Sequence, residues 1–205
     1  MKARFAVLVV AATCFTALGL AHEHEPLESL DAEVSEWVAG SLPEWLEVLA
    51  RPFSWLGGWI GITALTVAAA VLLVRERSRL DLEFLLAAVV GSQIAVALLK
   101  AWIDRARPDV GSAVPLPESA AFPSGHATAG VAALGAFAVL ASERLHDPRA
   151  RLRLWVGVAL VGLAVGLSRV ALNVHFVTDV LAGWCFGLAW LAACLLLRER
   201  FRGSG

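Results

Sequence analysis

The sequence predicts an all-α protein of the polytopic membrane class, with six transmembrane spans and an amphipathic helical segment outside the bilayer. Three observations predict it. Hydrophobic residues make up 59% of the 205 positions and mean hydropathy is +0.72, far from a soluble domain's balance. Six apolar stretches, near 5–21, 53–74, 84–103, 125–141, 154–174 and 180–197, approach the roughly 20 residues that cross a bilayer as helix. Eight Trp occur with no Tyr, and Trp45, Trp55, Trp59, Trp102 and Trp155 fall near the ends of apolar runs, as in an interfacial belt. Net charge is −1, which excludes a polycationic, nucleic-acid-binding surface. Cys14, Cys185 and Cys194 lie inside apolar runs and act as small hydrophobes, not as a disulfide framework.

The segment 1–21 reads in two ways. Lys2 and Arg4 precede a short apolar core that ends Gly19-Leu20-Ala21, so it is either a cleaved signal peptide, leaving five spans, or a retained first span. Residues 22–52 carry eight acids up to Glu47 and no Lys or Arg before Arg51. Leu27, Leu30, Val34, Trp37 and Val38 recur at helical spacing, as do Leu42, Trp45, Leu46 and Leu49, with Pro43 marking a break. This is the expected extracytoplasmic amphipathic segment lying on the membrane. His22 and His24 read as part of an exposed polar linker. Residues 53–205 form the membrane-embedded core.

Within that core, polar residues gather in three blocks: "KAWIDRARP" with Lys100, Arg107 and Pro108; "PSGH" at 123–126; and "SRVALNVHFVTD" at 168–179. Because successive spans alternate in direction, the third and fifth runs finish on the face where the fourth and sixth begin. The blocks therefore converge at one end of the bundle. Lys100, Arg107 and Arg169 are three cations, and arginine matches phosphate oxygens in bidentate fashion. Gly125 opens an apolar helix after Ser124, where free N–H groups and the helix dipole favour an anion, and Ser124 adds a hydroxyl. His175 and Asp179 stand i, i+4, the spacing of one helix face, so a carboxylate can set the imidazole tautomer and leave the other nitrogen free to attack. His126, beside the anion cradle, is the candidate acid for the departing oxygen. The chemistry is phosphoryl transfer through a phosphohistidine, with no metal and no cofactor. Asp104 and Arg105 belong to no motif and read as solvated or locally paired; Asn173 reads as an interface residue.

These blocks resemble the three signatures of the type 2 phosphatidic acid phosphatase (PAP2) family: Lys100-x6-Arg107-Pro108, then Pro123-Ser124-Gly125-His126, then Ser168-Arg169-x5-His175-x3-Asp179. The resemblance covers roughly 84–197 and is to the membrane-bound branch. It implies that Lys100, Arg107, Ser124, Gly125 and Arg169 bind phosphate, with His126 the acid, His175 the nucleophile and Asp179 its partner. It also implies a phosphorylated lipid as substrate, with membrane lipid around the protein and no nucleic acid. Undecaprenyl diphosphate, phosphatidic acid, phosphatidylglycerol phosphate and a lipid A phosphate all fit. A small six-span protein with an outward site favours the first. A lipid phosphotransferase would use the same intermediate.

Orientation follows from charge. With the N-terminus inside, Lys2, Arg4, Arg75, Arg77, Arg79, Arg144, Arg149, Arg151, Arg153, Arg198, Arg200 and Arg202 are cytoplasmic, twelve of the 17 basic residues. The three blocks then face the extracytoplasmic side of the plasma (inner) membrane.

Overall fold

The computed structural model describes residues 1–203, and these are helical with connecting loops. In chain order the helices are α1 Lys2–Ala21, α2 Leu27–Ser41, α3 Glu44–Gly57, α4 Trp59–Arg75, α5 Arg79–Leu86, α6 Ser92–Ile103, α7 Gly125–Ser142, α8 Pro148–Ala171 and α9 Val177–Arg202. Among the described residues, five helical spans are long and apolar enough to cross a membrane; α3 and α4, bent 43° apart, make a sixth if taken as one span.

That bent pair is where the structure departs from the sequence pattern. The apolar run was expected to start near residue 53, yet α3 continues through Pro52 to Gly57 and the break falls at Gly58. Both glycines have a spatial reason. A Cβ on Gly57 would run into the Val165 side chain of α8, and one on Gly58 would stand 3.2 Å from the Trp55 carbonyl and 3.4 Å from His126 Nε2.

A five-residue π-helical turn, Ala87–Gly91, joins α5 to α6 in one continuous span. An inserted residue turns everything after it by about 100° about the helix axis. The Ala87 carbonyl accepts from Trp190 Nε1 at 2.9 Å, and Ser92 Oγ donates to Val89 at 2.9 Å, so polar side chains satisfy backbone there. After the turn, Gln93, Val96, Ala97, Lys100 and Ala101 line one cavity.

α7 is the central helix. Its neighbours approach at glycine: a Cβ on Gly162 of α8 would lie 2.8 Å from the Gly130 carbonyl, and one on Gly187 of α9 would lie 2.9 Å from the Thr128 carbonyl. Small residues let helices meet where lipid supplies no hydrophobic drive between them. α1 packs along α9, with Phe15 against Phe122 and Phe186, so one face of the first helix belongs to the bundle. At the end away from the site, Arg198 is buried, pairs with Asp81 and Glu143, and lies over the Phe84 ring. One guanidinium thus ties the start of α5 to the ends of α7 and α9.

His22 is not an exposed linker residue: it is buried, its ring 4.8 Å from that of Phe122. α2 likewise does more than lie on a surface. It turns Asp31, Ser35 and Val38 inward and leaves Leu30 and Trp37 exposed, so its polar stripe meets the protein.

Candidate active site

Lys100, Arg107, Gly125, His126, Arg169 and His175 line one cavity of about 550 Å³. It lies at the ends of α6 and α8 and the start of α7, beside Trp59 at the start of α4. Trp59 and Trp102 are both strongly exposed at this level, as interfacial tryptophans are.

The nucleophile candidate sits in a turn. α8 ends at Ala171, Asn173 takes a left-handed conformation (φ 50°), and His175 lies just before α9. The i, i+4 pair is therefore not on one helix face, as its spacing suggested. Asp179 stands in the first turn of α9, where its Oδ2 accepts from Phe176 N at 2.9 Å and caps the helix. The same oxygen is 3.3 Å from His175 Nδ1. On the other side, Arg107 Nη1 is 3.2 Å from His175 Nε2. A guanidinium only donates, so Nε2 must be the accepting nitrogen and Nδ1–H points at Asp179. Burial pushes the His175 imidazole down to about 4; hydrogen bonding and charge from Asp179 oppose this, while Arg107 adds to it. His175 is thus neutral at ordinary pH, with its lone pair on Nε2.

The cations divide into two kinds. Lys100 donates to the Ala120 carbonyl and, at 3.3 Å, to Ala121. Arg107 donates to the Val174 carbonyl at 2.6 Å and the Ser119 carbonyl at 2.8 Å. Arg169 donates to Ser54 Oγ, and its buried Nε has no hydrogen-bond partner. Among the described residues, no carboxylate lies within ion-pair distance of these three. Carbonyls orient Lys100 and Arg107, a hydroxyl orients Arg169, and none of the three is ion-paired, which suits an anionic ligand. The loop after Pro108 supplies those carbonyls except that of Val174, which lies in the turn before α9, and residues 117–120 of the loop line the cavity wall.

Arg105 is the other kind. Only 9% of its side chain is exposed; Nη1 donates to Asp179 Oδ1 at 2.6 Å and Nη2 to Asp31 Oδ2 at 2.8 Å. Nη1 also reaches Thr178 Oγ1 at 2.7 Å, and the guanidinium lies 4.5 Å over the Phe176 ring. Asp31 also accepts from Thr178 N at 3.0 Å, so α2 is bonded directly to the start of α9. The expectation that Arg105 is solvated or locally paired fails: both of its carboxylate partners are distant in the chain, and Asp179 needs one for its other oxygen. Asp31 and Ser54 were not singled out from the sequence, and Arg105 was assigned no part in the site. No local pattern marks Asp31, which stands 148 positions from Asp179.

Two expected residues do not face the cavity. Asp179 stands behind His175. Ser124 is fully buried, N-caps α7 by accepting from Ala127 N at 3.4 Å, and receives no place in the cavity wall, whereas its neighbours Gly125 and His126 do. Asn173 also lies outside the cavity, bonding Ser35 Oγ at 2.9 Å and so holding α2 to the turn. Among the described residues, no three His, Cys, Asp or Glu side chains gather as metal ligands would.

Residues 82–202 match the profile of the PAP2 superfamily. Phosphatidylglycerophosphatase B of Bacillus subtilis (strain 168) is 28% identical over 175 residues, 85% of this chain and 86% of that protein. Lipid A 1-phosphatase of Rhizobium etli is 38% identical over 115 residues, 51% of this chain and 44% of that protein. The crystal structure of a transmembrane PAP2-type phosphatidylglycerolphosphate phosphatase from Bacillus subtilis superposes with a TM-score of 0.85 at 26% identity, covering 94% of this chain and 96% of that one. Aquifex aeolicus LpxE shares the fold, with a TM-score of 0.61 at 22% identity over 83% of this chain and 95% of that one.

Proposed function

The chain belongs to the PAP2 superfamily and is a multi-pass membrane phosphatase, and from that premise we propose that it releases phosphate from a lipid phosphate monoester or diphosphate through a phosphohistidine. One observation carries this reading: three cations without acidic partners, two histidines and a helix N-terminus line one cavity at the headgroup end of a helix bundle. A phosphate reaches that position while the lipid tails stay in the bilayer.

A phosphate entering the cavity takes over the guanidinium of Arg107 and frees His175 Nε2. The Nε2 lone pair attacks phosphorus, the bond to the leaving oxygen breaks, and that oxygen takes the electron pair and a proton from His126. Asp179 balances the charge on the phosphorylated ring through Nδ1–H. Water then attacks phosphorus and gives its proton to His126; the phosphorus–nitrogen bond breaks and its electrons return to Nε2. Lys100, Arg107, Arg169 and the Gly125 N–H stabilise the equatorial oxygens in both steps. Phosphate release from a panel of lipid phosphates by the purified protein tests the assignment; no release from any of them would sink it.

The role given to His126 has its own signature. His126→Ala is expected to slow turnover of an alkyl phosphate by about 10²- to 10⁴-fold, the usual contribution of a general acid. An aryl phosphate, whose leaving oxygen needs little protonation, should lose far less. Equal losses on the two substrates would remove His126 from the acid role.

The site is proposed to open outside the cell membrane, from the charge distribution. Leu116 and His146 are exposed in loops at opposite ends of the bundle. In a variant lacking the three native cysteines, Leu116→Cys should react with a membrane-impermeant thiol reagent on intact cells, and His146→Cys should not. The reverse labelling would invert the topology.

A further inference from the structure

His126 and Arg169 line a second cavity, of about 450 Å³, as well as the catalytic one. Trp59 is also shared, but Lys100, Arg107 and His175 line the first cavity only. Displacement at phosphorus places the attacking and leaving atoms in line. Attack comes from His175, and the leaving oxygen departs towards His126, which also lines the second cavity. The released group therefore extends there.

The chemistry of that second cavity is specific. Its wall holds Arg51, Ser54 and Arg169 and no Asp or Glu, with Trp55, Trp59 and Ile60 on the apolar side. Arg51 donates to the Ala113 carbonyl at 3.0 Å, and among the described residues no carboxylate lies within ion-pair distance of it. Arg169 is 5% exposed and its Nε lacks a partner. Two guanidiniums and a hydroxyl around an acid-free cavity match a phosphate.

We propose that the second cavity is a leaving-group subsite for a second phosphate, with Arg51 as its specificity-determining residue. This rests on the phosphatase reading above and narrows it: the substrate carries phosphate on both sides of the scissile bond. Two kinds of lipid have that chemistry, a prenyl diphosphate and a monoester whose alcohol bears a phosphodiester, such as phosphatidylglycerophosphate. Phosphatidic acid does not.

The test compares kcat/KM for these three substrates in wild type, Arg51→Gln and Arg51→Lys. In Arg51→Gln the ratio of kcat/KM for a two-phosphate substrate to that for phosphatidic acid should fall about tenfold or more, the loss of one charge-assisted hydrogen bond, and Arg51→Lys should restore part of it. A fall confined to the prenyl diphosphate assigns the subsite to that lipid; one confined to phosphatidylglycerophosphate assigns it to the phosphodiester. Equal falls on all three overturn the subsite. A second measurement needs no turnover. In a His175→Ala background, calorimetry should show Arg51→Gln weakening methylenediphosphonate about tenfold while inorganic phosphate changes less than about twofold. If that difference is absent, the subsite is wrong and the phosphatase reading stands. If it is present while wild type hydrolyses no lipid phosphate, the phosphatase reading fails and the anion subsite stands.

Discussion

His175→Ala is expected to release no measurable phosphate and to form no covalent phosphoenzyme, a loss of about 10⁴-fold or more in kcat. The physical ground is that His175 Nε2 lines the cavity as an unprotonated nitrogen beside the Arg107 guanidinium. Its tautomer is enforced from both sides, by Asp179 at 3.3 Å on Nδ1 and by Arg107 at 3.2 Å on Nε2. Radiolabelled substrate, quenched in alkali to preserve the phosphorus–nitrogen bond, should leave label on wild type and none on the variant. Near-normal turnover in His175→Ala would show that another group attacks phosphorus.

Arg105→Met should be the most damaging change outside the cavity wall. The guanidinium lies between two carboxylates whose side chains are 1% and 0% exposed. Removing it leaves Asp31 and Asp179 buried without their shared cation, which costs about 3–5 kcal/mol when one partner of a buried pair is lost. Thermal unfolding in detergent should therefore shift well downward. Activity should fall as well, by about a hundredfold, because Asp179 loses the group that holds Oδ1 and His175 moves with it. The two effects separate in a double variant. Adding Asp31→Asn removes one orphaned charge and should recover part of the stability, while kcat stays low because Asp179 is still unheld. A single Arg105→Met variant with ordinary stability and rate would show that the bridge between α2 and α9 has no part in positioning the nucleophile.

The contrast between Arg105 and Arg107 shows where sequence reading stops. Both sit in "DRARP", two positions apart, and composition treats them alike. Arg107 and Lys100 are legible because their spacing belongs to a recognisable block, and both line the cavity. Arg105 is sorted only by what lies beside it in space, and one of those neighbours, Asp31, comes from a helix that the sequence describes merely as acidic and amphipathic. The pairing of His175 with Asp179 was legible too, although its cause was not. The spacing suggests a helix face, whereas the carboxylate caps α9 and the histidine precedes the cap.

By itself the sequence determined the helical class, the apolar spans and the convergence of three polar blocks at one end. These follow from short-range physics: lipid requires every backbone group to be bonded within its own helix, and alternating spans return every second end to the same face. The tertiary structure alone decided which polar groups face the cavity and which are used up in holding it. It turned Ser124 into a cap, joined Asp31 to Asp179 through Arg105, and placed the α3–α4 break at Gly58 against His126. Those outcomes depend on which charges are neutralised by neighbours distant in the chain, and on backbone approaches of a few ångströms. Neither quantity has a period or a spacing along the sequence from which it can be read.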